Sequence, residues 1–172
     1  ITNSGIVVLT MLLFKYSFIT KTDFRYDTLA SIAAVIIFHT FYKRLNQSIG
    51  SYSFFVASLI FHNLSLYGTS PLGIRFDHYM RFLSGFTIAF IGYRLLLPGK
   101  LSALKRFALV IIFSLGIGAI GEIFEWLGYA ILGAGDGFFF YGTGDEGEWN
   151  NAIKDLIFNF FGAMLFAALN IF

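Results

Sequence analysis

Long apolar segments and short polar breaks alternate along the whole chain. Six segments are apolar enough, and near enough to 20 residues in length, to cross a bilayer. They lie at about 4–20, 28–45, 50–67, 77–97, 105–132 and 151–172. The breaks between them contain the Gly, Pro, Asn and charged residues that are typical of turns and loops. The pattern therefore predicts an all-α fold: a polytopic membrane helical bundle of about six transmembrane helices, forming a single domain over residues 1–172.

The composition also favours a membrane location. The 172 residues are 57% hydrophobic and 13% charged, and the mean hydropathy is +0.74. A soluble domain has about 25% charged residues, so this chain has too few polar side chains to cover a surface that faces water. It contains no cysteine, which excludes disulfides and thiolate catalysis. Its net charge of +2 is dispersed, without the basic patch that a nucleic-acid partner requires.

The distribution of basic residues predicts the orientation of the chain, because short cytoplasmic loops are enriched in Lys and Arg. Six of these residues accompany the breaks after segments two and four, whereas three accompany the breaks after segments one, three and five. We therefore expect both termini in the cytoplasm and the acidic loop at 133–149 outside. The aromatic residues of that loop are expected to fold back over the bundle at the membrane interface.

Ionisable residues gather at the predicted outer ends of segments four, five and six. Such residues are costly in hydrocarbon, and they usually face a bundle interior, pair with one another or mark a functional site. Glu122 and Glu125 are three residues apart and therefore share one helix face, and Asp155 and Asn159 form a similar stripe in segment six. The sequence predicts a polar pocket on the extracytoplasmic side, lined by Asp77, His78, Arg81, Glu122, Glu125, Asp155 and Asn159.

The two glutamates raise the question of what neutralises them. Neighbouring carboxylates out of water repel each other, so a cation, a proton or an arginine must compensate their charge. Within the chain Arg81, Arg75 and His78 are the candidates. Three interpretations stay open: a structural ion-pair network that links segments four, five and six, a site for a metal or cationic ligand, and acid–base chemistry.

A divalent metal is one candidate cofactor. The residues available to ligate it, through imidazole nitrogens and carboxylate oxygens, are His62, Asp77, His78, Glu122 and Glu125. Against this, no compact ligand motif such as HExxH occurs, and a histidine at a membrane interface is commonly just solvated. A nucleotide site is rejected, since the glycine-rich turn at 142–145 has no following lysine.

Three stretches around these residues, FDHYMRFLSGF, GEIFEWLG and GTGDEGEWNNAIKDLIFNFFGA, resemble the YjdF-like family of small bacterial inner-membrane proteins. The resemblance covers about the last 100 residues. It is close at Asp77, Glu122, Glu125, Trp126, Gly142, Thr143 and Asp155. It implies a bacterial cytoplasmic (inner) membrane location but little function, because the members are largely uncharacterised. The stripe of Asp155, Asn159 and Gly162 is also similar, more distantly, to the last span of VanZ-like proteins, which are associated with glycopeptide resistance.

The chain departs from the YjdF-like pattern at two places. The family usually has Asp-Arg-x-x-His, whereas here His78 follows the aspartate and Arg81 takes the later position. Asn151 stands where the family tends to have an aspartate at the head of the last span. Both departures weaken a metal-ligand set, whereas an Arg–Glu network tolerates them.

Three functions follow as hypotheses. In the first, the pocket binds a lipid head group or another envelope ligand, with Arg75, Arg81 and His78 holding an anionic group while Glu122 and Glu125 contact an amine. In the second, the chain is a non-catalytic accessory subunit that packs against other membrane protein subunits. In the third, it is a metal-assisted, membrane-embedded enzyme. Membrane lipids are the expected partners in each case.

Overall fold

The structure, a computed structural model, describes residues 2–64, 69–133, 135 and 148–171. Six α-helices account for most of these residues: α1 Thr2–Phe14, α2 Phe24–Phe41, α3 Ile49–Asn63, α4 Phe76–Leu96, α5 Ala103–Leu132 and α6 Glu148–Ile171. One turn of π-helix, Lys15–Ile19, extends α1. Within the described ranges there is no strand apart from an isolated bridge between Thr69 and Arg75. The predicted all-helical fold is therefore confirmed.

The ends of several helices differ from the ends of the predicted segments. Ser48 begins α3 with a capping box, in which its side chain accepts from the backbone N–H of Ser51. The prediction of a break over the whole of 21–27 is wrong, because α2 already begins at Phe24. Asp27 then lies in the first turn, where the helix dipole favours a negative charge. The predicted fold of the 133–149 loop falls almost entirely outside the described residues.

The helices α4, α5 and α6 pack against one another. The backbones of α4 and α6 approach most closely at two glycines. A Cβ on Gly162 would overlap the carbonyl oxygen of Phe82, and a Cβ on Gly85 would lie 2.7 Å from the Cα of Asn159. A buried apolar cluster continues this contact along the helices, and it consists of Ala89, Val110, Ala163, Phe166 and Ala167. Small residues at a crossing are typical of helix pairs in membranes.

The first three helices form a second packed unit around Leu9, Val35, Tyr52 and Val56. Its polar centre is Asn63, which is fully buried at the end of α3. The amide of Asn63 donates to the Ser31 hydroxyl at 2.8 Å, and its side-chain oxygen accepts from the Thr28 hydroxyl at 2.7 Å. These bonds connect α2 to α3 by satisfied polar groups inside an apolar unit.

Two described helices are long and apolar enough to cross a membrane: α5 and the Asn150–Ile171 part of α6. In their most apolar stretches only 22% and 33% of the residues are buried, so most of this apolar surface faces outward. Ile112, Ile123 and Leu169, for example, are each more than half exposed. Outward-facing apolar surface on such long helices is what contact with lipid requires. That α1–α4 also span the membrane stays a prediction.

Candidate functional site

Arg81 lies in the second turn of α4 and points toward α5 and α6. Its Nη1 donates to Glu122 Oε1 at 3.0 Å, and its Nη2 donates to Glu125 Oε2 at 2.8 Å. The same Nη2 lies 2.8 Å from Asp155 Oδ2. We call these four residues, Arg81, Glu122, Glu125 and Asp155, the Arg81 cluster. One guanidinium thus connects three helices through three carboxylates.

The rim of the Arg81 cluster is formed by Asp77 and His78 at the start of α4. Asp77 Oδ1 lies 3.8 Å from Arg81 Nε, and its side chain is 38% exposed, against 15% for Arg81. The His78 ring stacks on Phe158 of α6, with centroids 4.3 Å apart and an interplanar angle of 10°. The cluster is therefore closed toward the bundle interior and approaches the surface at Asp77.

Two overlapping sets of side chains have the spacing of metal ligands. Asp155 belongs to both: it groups with Asp77 and His78, and also with Glu122 and Glu125, with the ligand atoms of each set within 4.8 Å of one another. Arg81 already forms ion pairs with all three carboxylates of the second set. The first set, with one imidazole and two carboxylates, is therefore the more accessible one for a metal ion.

Three buried oxygens in this region accept no hydrogen bond from any residue that the structure describes: Glu122 Oε2, Asp155 Oδ1 and Asn159 Oδ1. Asp155 is fully buried and Asn159 is 3% exposed. Asp155 uses its other oxygen, Oδ2, for Arg81 and for the Asn151 amide, which donates at 3.3 Å. A buried acceptor without a donor costs about 1–3 kcal/mol. The region therefore offers more acceptors than the described residues supply with donors.

His62 has a partner that the sequence did not predict. The sequence placed it with the carboxylates of segments four and five as a weak metal candidate. In the structure its Nε2 lies 3.3 Å from Asp27 Oδ2, and among the described side chains neither metal-like set includes it. Asp27 was missed because it was assigned to a loop. The spacing of Asp27 and Ser31, four residues apart, is the signal that would have indicated a polar stripe on α2.

The structure thus brings the predicted residues of α4, α5 and α6 to one place, with Asn159 one turn farther along α6 than Asp155. The arrangement defines a class: a helical membrane protein with a buried ionic cluster between three helices. Residues 2–172 match the model of the family described as Predicted membrane protein (DUF2238), and the chain belongs to this family. No curated protein and no solved structure matches the chain. The likeness to YjdF-like and VanZ-like proteins stays a prediction.

Proposed function

We propose that the protein is a polytopic protein of the bacterial inner membrane whose Arg81 cluster binds the amine of a lipid head group on the extracytoplasmic side. The observation that carries this proposal is the excess of negative charge and of unpaired acceptors around Arg81. Three carboxylates contact one guanidinium, and Glu122 and Asp155 each retain a buried oxygen without a donor from the described residues.

The charge balance supports a positively charged ligand. With every group ionised, three carboxylates and one guanidinium carry a net charge of −2. Asp77 adds a further carboxylate at the rim, 3.8 Å from Arg81. Charges of one sign repel strongly where water is scarce. Because Arg81 is already held by carboxylates, an anionic group has little to gain here, and the amine becomes the favoured part of the ligand.

The hydrogen-bond balance narrows the ligand to a primary ammonium. Such a group brings a positive charge together with three N–H donors, which are enough to supply both unpaired oxygens, Glu122 Oε2 and Asp155 Oδ1. A quaternary ammonium has the charge but no donor. Asp77 is the most exposed carboxylate of the group, at 38%, so we expect a head group to enter beside it. Phosphatidylethanolamine has this chemistry, and phosphatidylcholine lacks its donors.

Native mass spectrometry of the purified protein with equimolar lipids of identical acyl chains tests the proposal. Phosphatidylethanolamine should be retained in preference to both phosphatidylcholine and phosphatidylglycerol. Glu122→Gln should weaken its retention about tenfold, because a hydrogen bond to a charged group contributes about 1.5–3 kcal/mol. Asp23→Asn, the matched change at the partly buried residue that precedes α2, should leave retention unchanged.

Equal retention of the ethanolamine and choline lipids would contradict the donor argument. Unchanged selectivity in both Glu122→Gln and Glu125→Gln would show that the lipid binds elsewhere. Circular dichroism of each variant separates loss of binding from loss of folding. The second glutamate variant keeps the test decisive if the first one unfolds.

A second candidate ligand is a divalent metal ion, favoured by the set of Asp77, His78 and Asp155. Mixed imidazole and carboxylate ligands suit ions such as Zn²⁺ or Mn²⁺. Titration calorimetry with each ion, repeated on His78→Gln, tests this candidate. Stoichiometric binding that His78→Gln abolishes would favour the metal, and with it a metal-assisted reaction, over the lipid amine. Absence of binding in the folded wild type would remove it.

A further inference from the structure

A cavity of about 270 Å³ lies between α2, α3 and α4, apart from the residues of the Arg81 cluster. It is lined by Asp27, Ala30, Ser31, Ala34, Ser58, Leu59, His62 and Ser84. At about 30 Å³ for each water-sized group, this volume holds about nine non-hydrogen atoms. The His62 side chain is 32% exposed, so the cavity can be reached from the surface beside it.

The strongest polar feature of this cavity is the pair of Asp27 and His62. His62 Nε2 lies 3.3 Å from Asp27 Oδ2, and the Asp27 side chain is 1% exposed. Asp27 lies in the first turn of α2 and His62 in the last turn of α3. The helix dipoles favour a negative charge at the first position and a positive charge at the second.

The pair thus places a carboxylate oxygen beside an imidazole nitrogen in the wall of the cavity. The remaining lining combines hydroxyl groups with an apolar wall. Ser84 supplies a hydroxyl from α4, and Ser58 supplies one that already bonds to Phe54 and Thr87. Ala34 and Leu59 contribute methyl groups. Pockets with an apolar wall and a few convergent polar groups are typical of small-molecule sites.

We propose that this cavity is a second binding site, which takes a neutral amphiphile with an alcohol group. The hydroxyl of the ligand donates to the Asp27 carboxylate, and its alkyl part lies against Ala34 and Leu59. An alcohol both donates and accepts hydrogen bonds, which suits a lining of carboxylate, imidazole and serine hydroxyl groups. An ammonium group only donates and a carboxylate group only accepts, so a charged head group fits this lining less well. This site does not depend on the ligand of the Arg81 cluster.

A photoreactive diazirine analogue of 1-octanol, which has nine non-hydrogen atoms in its parent compound, is the probe. The full chain in detergent is labelled, and mass spectrometry of its peptides locates the attachment. The labelling that is prevented by an excess of 1-octanol should be found on residues 24–41 and 49–63. Octylamine and octanoate should compete about tenfold less well than 1-octanol, as expected for a difference of about 1.4 kcal/mol.

Two variants locate the site. Ala34→Leu fills the cavity and should abolish the competed labelling, whereas Ala33→Leu, on the exposed neighbouring position outside the lining, should retain it. Asp27→Asn should weaken competition by 1-octanol about tenfold, the loss expected for a hydrogen bond to a charged group. Ala34→Leu keeps the test decisive if Asp27→Asn does not fold.

Competed labelling that survives in Ala34→Leu would overturn the proposal, and so would competition by octylamine equal to that by 1-octanol. A further arm distinguishes the source of the alcohol. Competition by 1,2-dioctanoylglycerol would identify the free hydroxyl of a membrane glycerolipid. Competition by 1-octanol alone would identify a free alcohol. Either result supports the site.

Discussion

The crossing of α4 and α6 allows a prediction that links the packing of the helices to the Arg81 cluster. In Gly162→Ala the new Cβ would overlap the carbonyl oxygen of Phe82 and lie 2.8 Å from the nitrogen of Phe86. Ordinary contacts begin at 3.4 Å, so α4 must retreat by at least the 0.6 Å between these two distances. Both neighbouring atoms belong to backbone, which cannot turn aside as a side chain would. The shift also pulls Arg81 away from Asp155, 2.8 Å distant on the same pair of helices.

Overpacking of this kind costs about 1–3 kcal/mol, and the weakened ion pair adds to that cost. Gly116→Ala is the matched control, since a Cβ there meets no described atom within 4 Å and alanine is the better helix former. Unfolding in mixed micelles by titration with sodium dodecyl sulfate, followed by far-ultraviolet circular dichroism, measures both variants. Gly162→Ala should unfold at a lower detergent fraction than wild type, and Gly116→Ala at the same or a higher one. Equal midpoints for the two variants would refute the close crossing of α4 and α6.

Arg81→Gln should lower the free energy of unfolding by about 3–5 kcal/mol, because it leaves three buried carboxylates without their cation. Lys105→Gln, at an exposed residue, should change the free energy of unfolding by less than about 0.5 kcal/mol. The same detergent titration measures both variants, and an equal loss of stability in the two would contradict the ion network. The orientation can be checked with single cysteines, since the chain has none of its own. A maleimide that does not cross membranes, added to spheroplasts, should label Lys21→Cys and spare Lys43→Cys; the reverse result would invert the predicted orientation.

The sequence was sufficient for the helices and for the acidic residues, but not for every partner. Apolar segments of the right length predict helices because a buried backbone must satisfy its own hydrogen bonds. The spacing of Glu122 and Glu125 places both on one helix face, and Arg81 was among the three cations proposed for them. Nothing in the local pattern shows which helices are neighbours. The contact between His62 and Asp27, which joins α2 to α3, was missed for this reason and because Asp27 was assigned to a loop.

The number of carboxylates in the Arg81 cluster supports the proposed binding site over a purely structural network. To connect α4, α5 and α6, Arg81 needs one acidic partner on α5 and one on α6, and Glu125 with Asp155 would suffice. Glu122 adds a second carboxylate from α5, which accepts from Arg81 Nη1 but connects no further helix and repels the other two carboxylates. Buried charges of this kind are expensive, and apolar replacements are often more stable. A third buried carboxylate that connects no further helix supports the proposal that a ligand contacts it. For that reason Glu122→Gln, rather than Arg81→Gln, is the variant chosen to separate binding from folding.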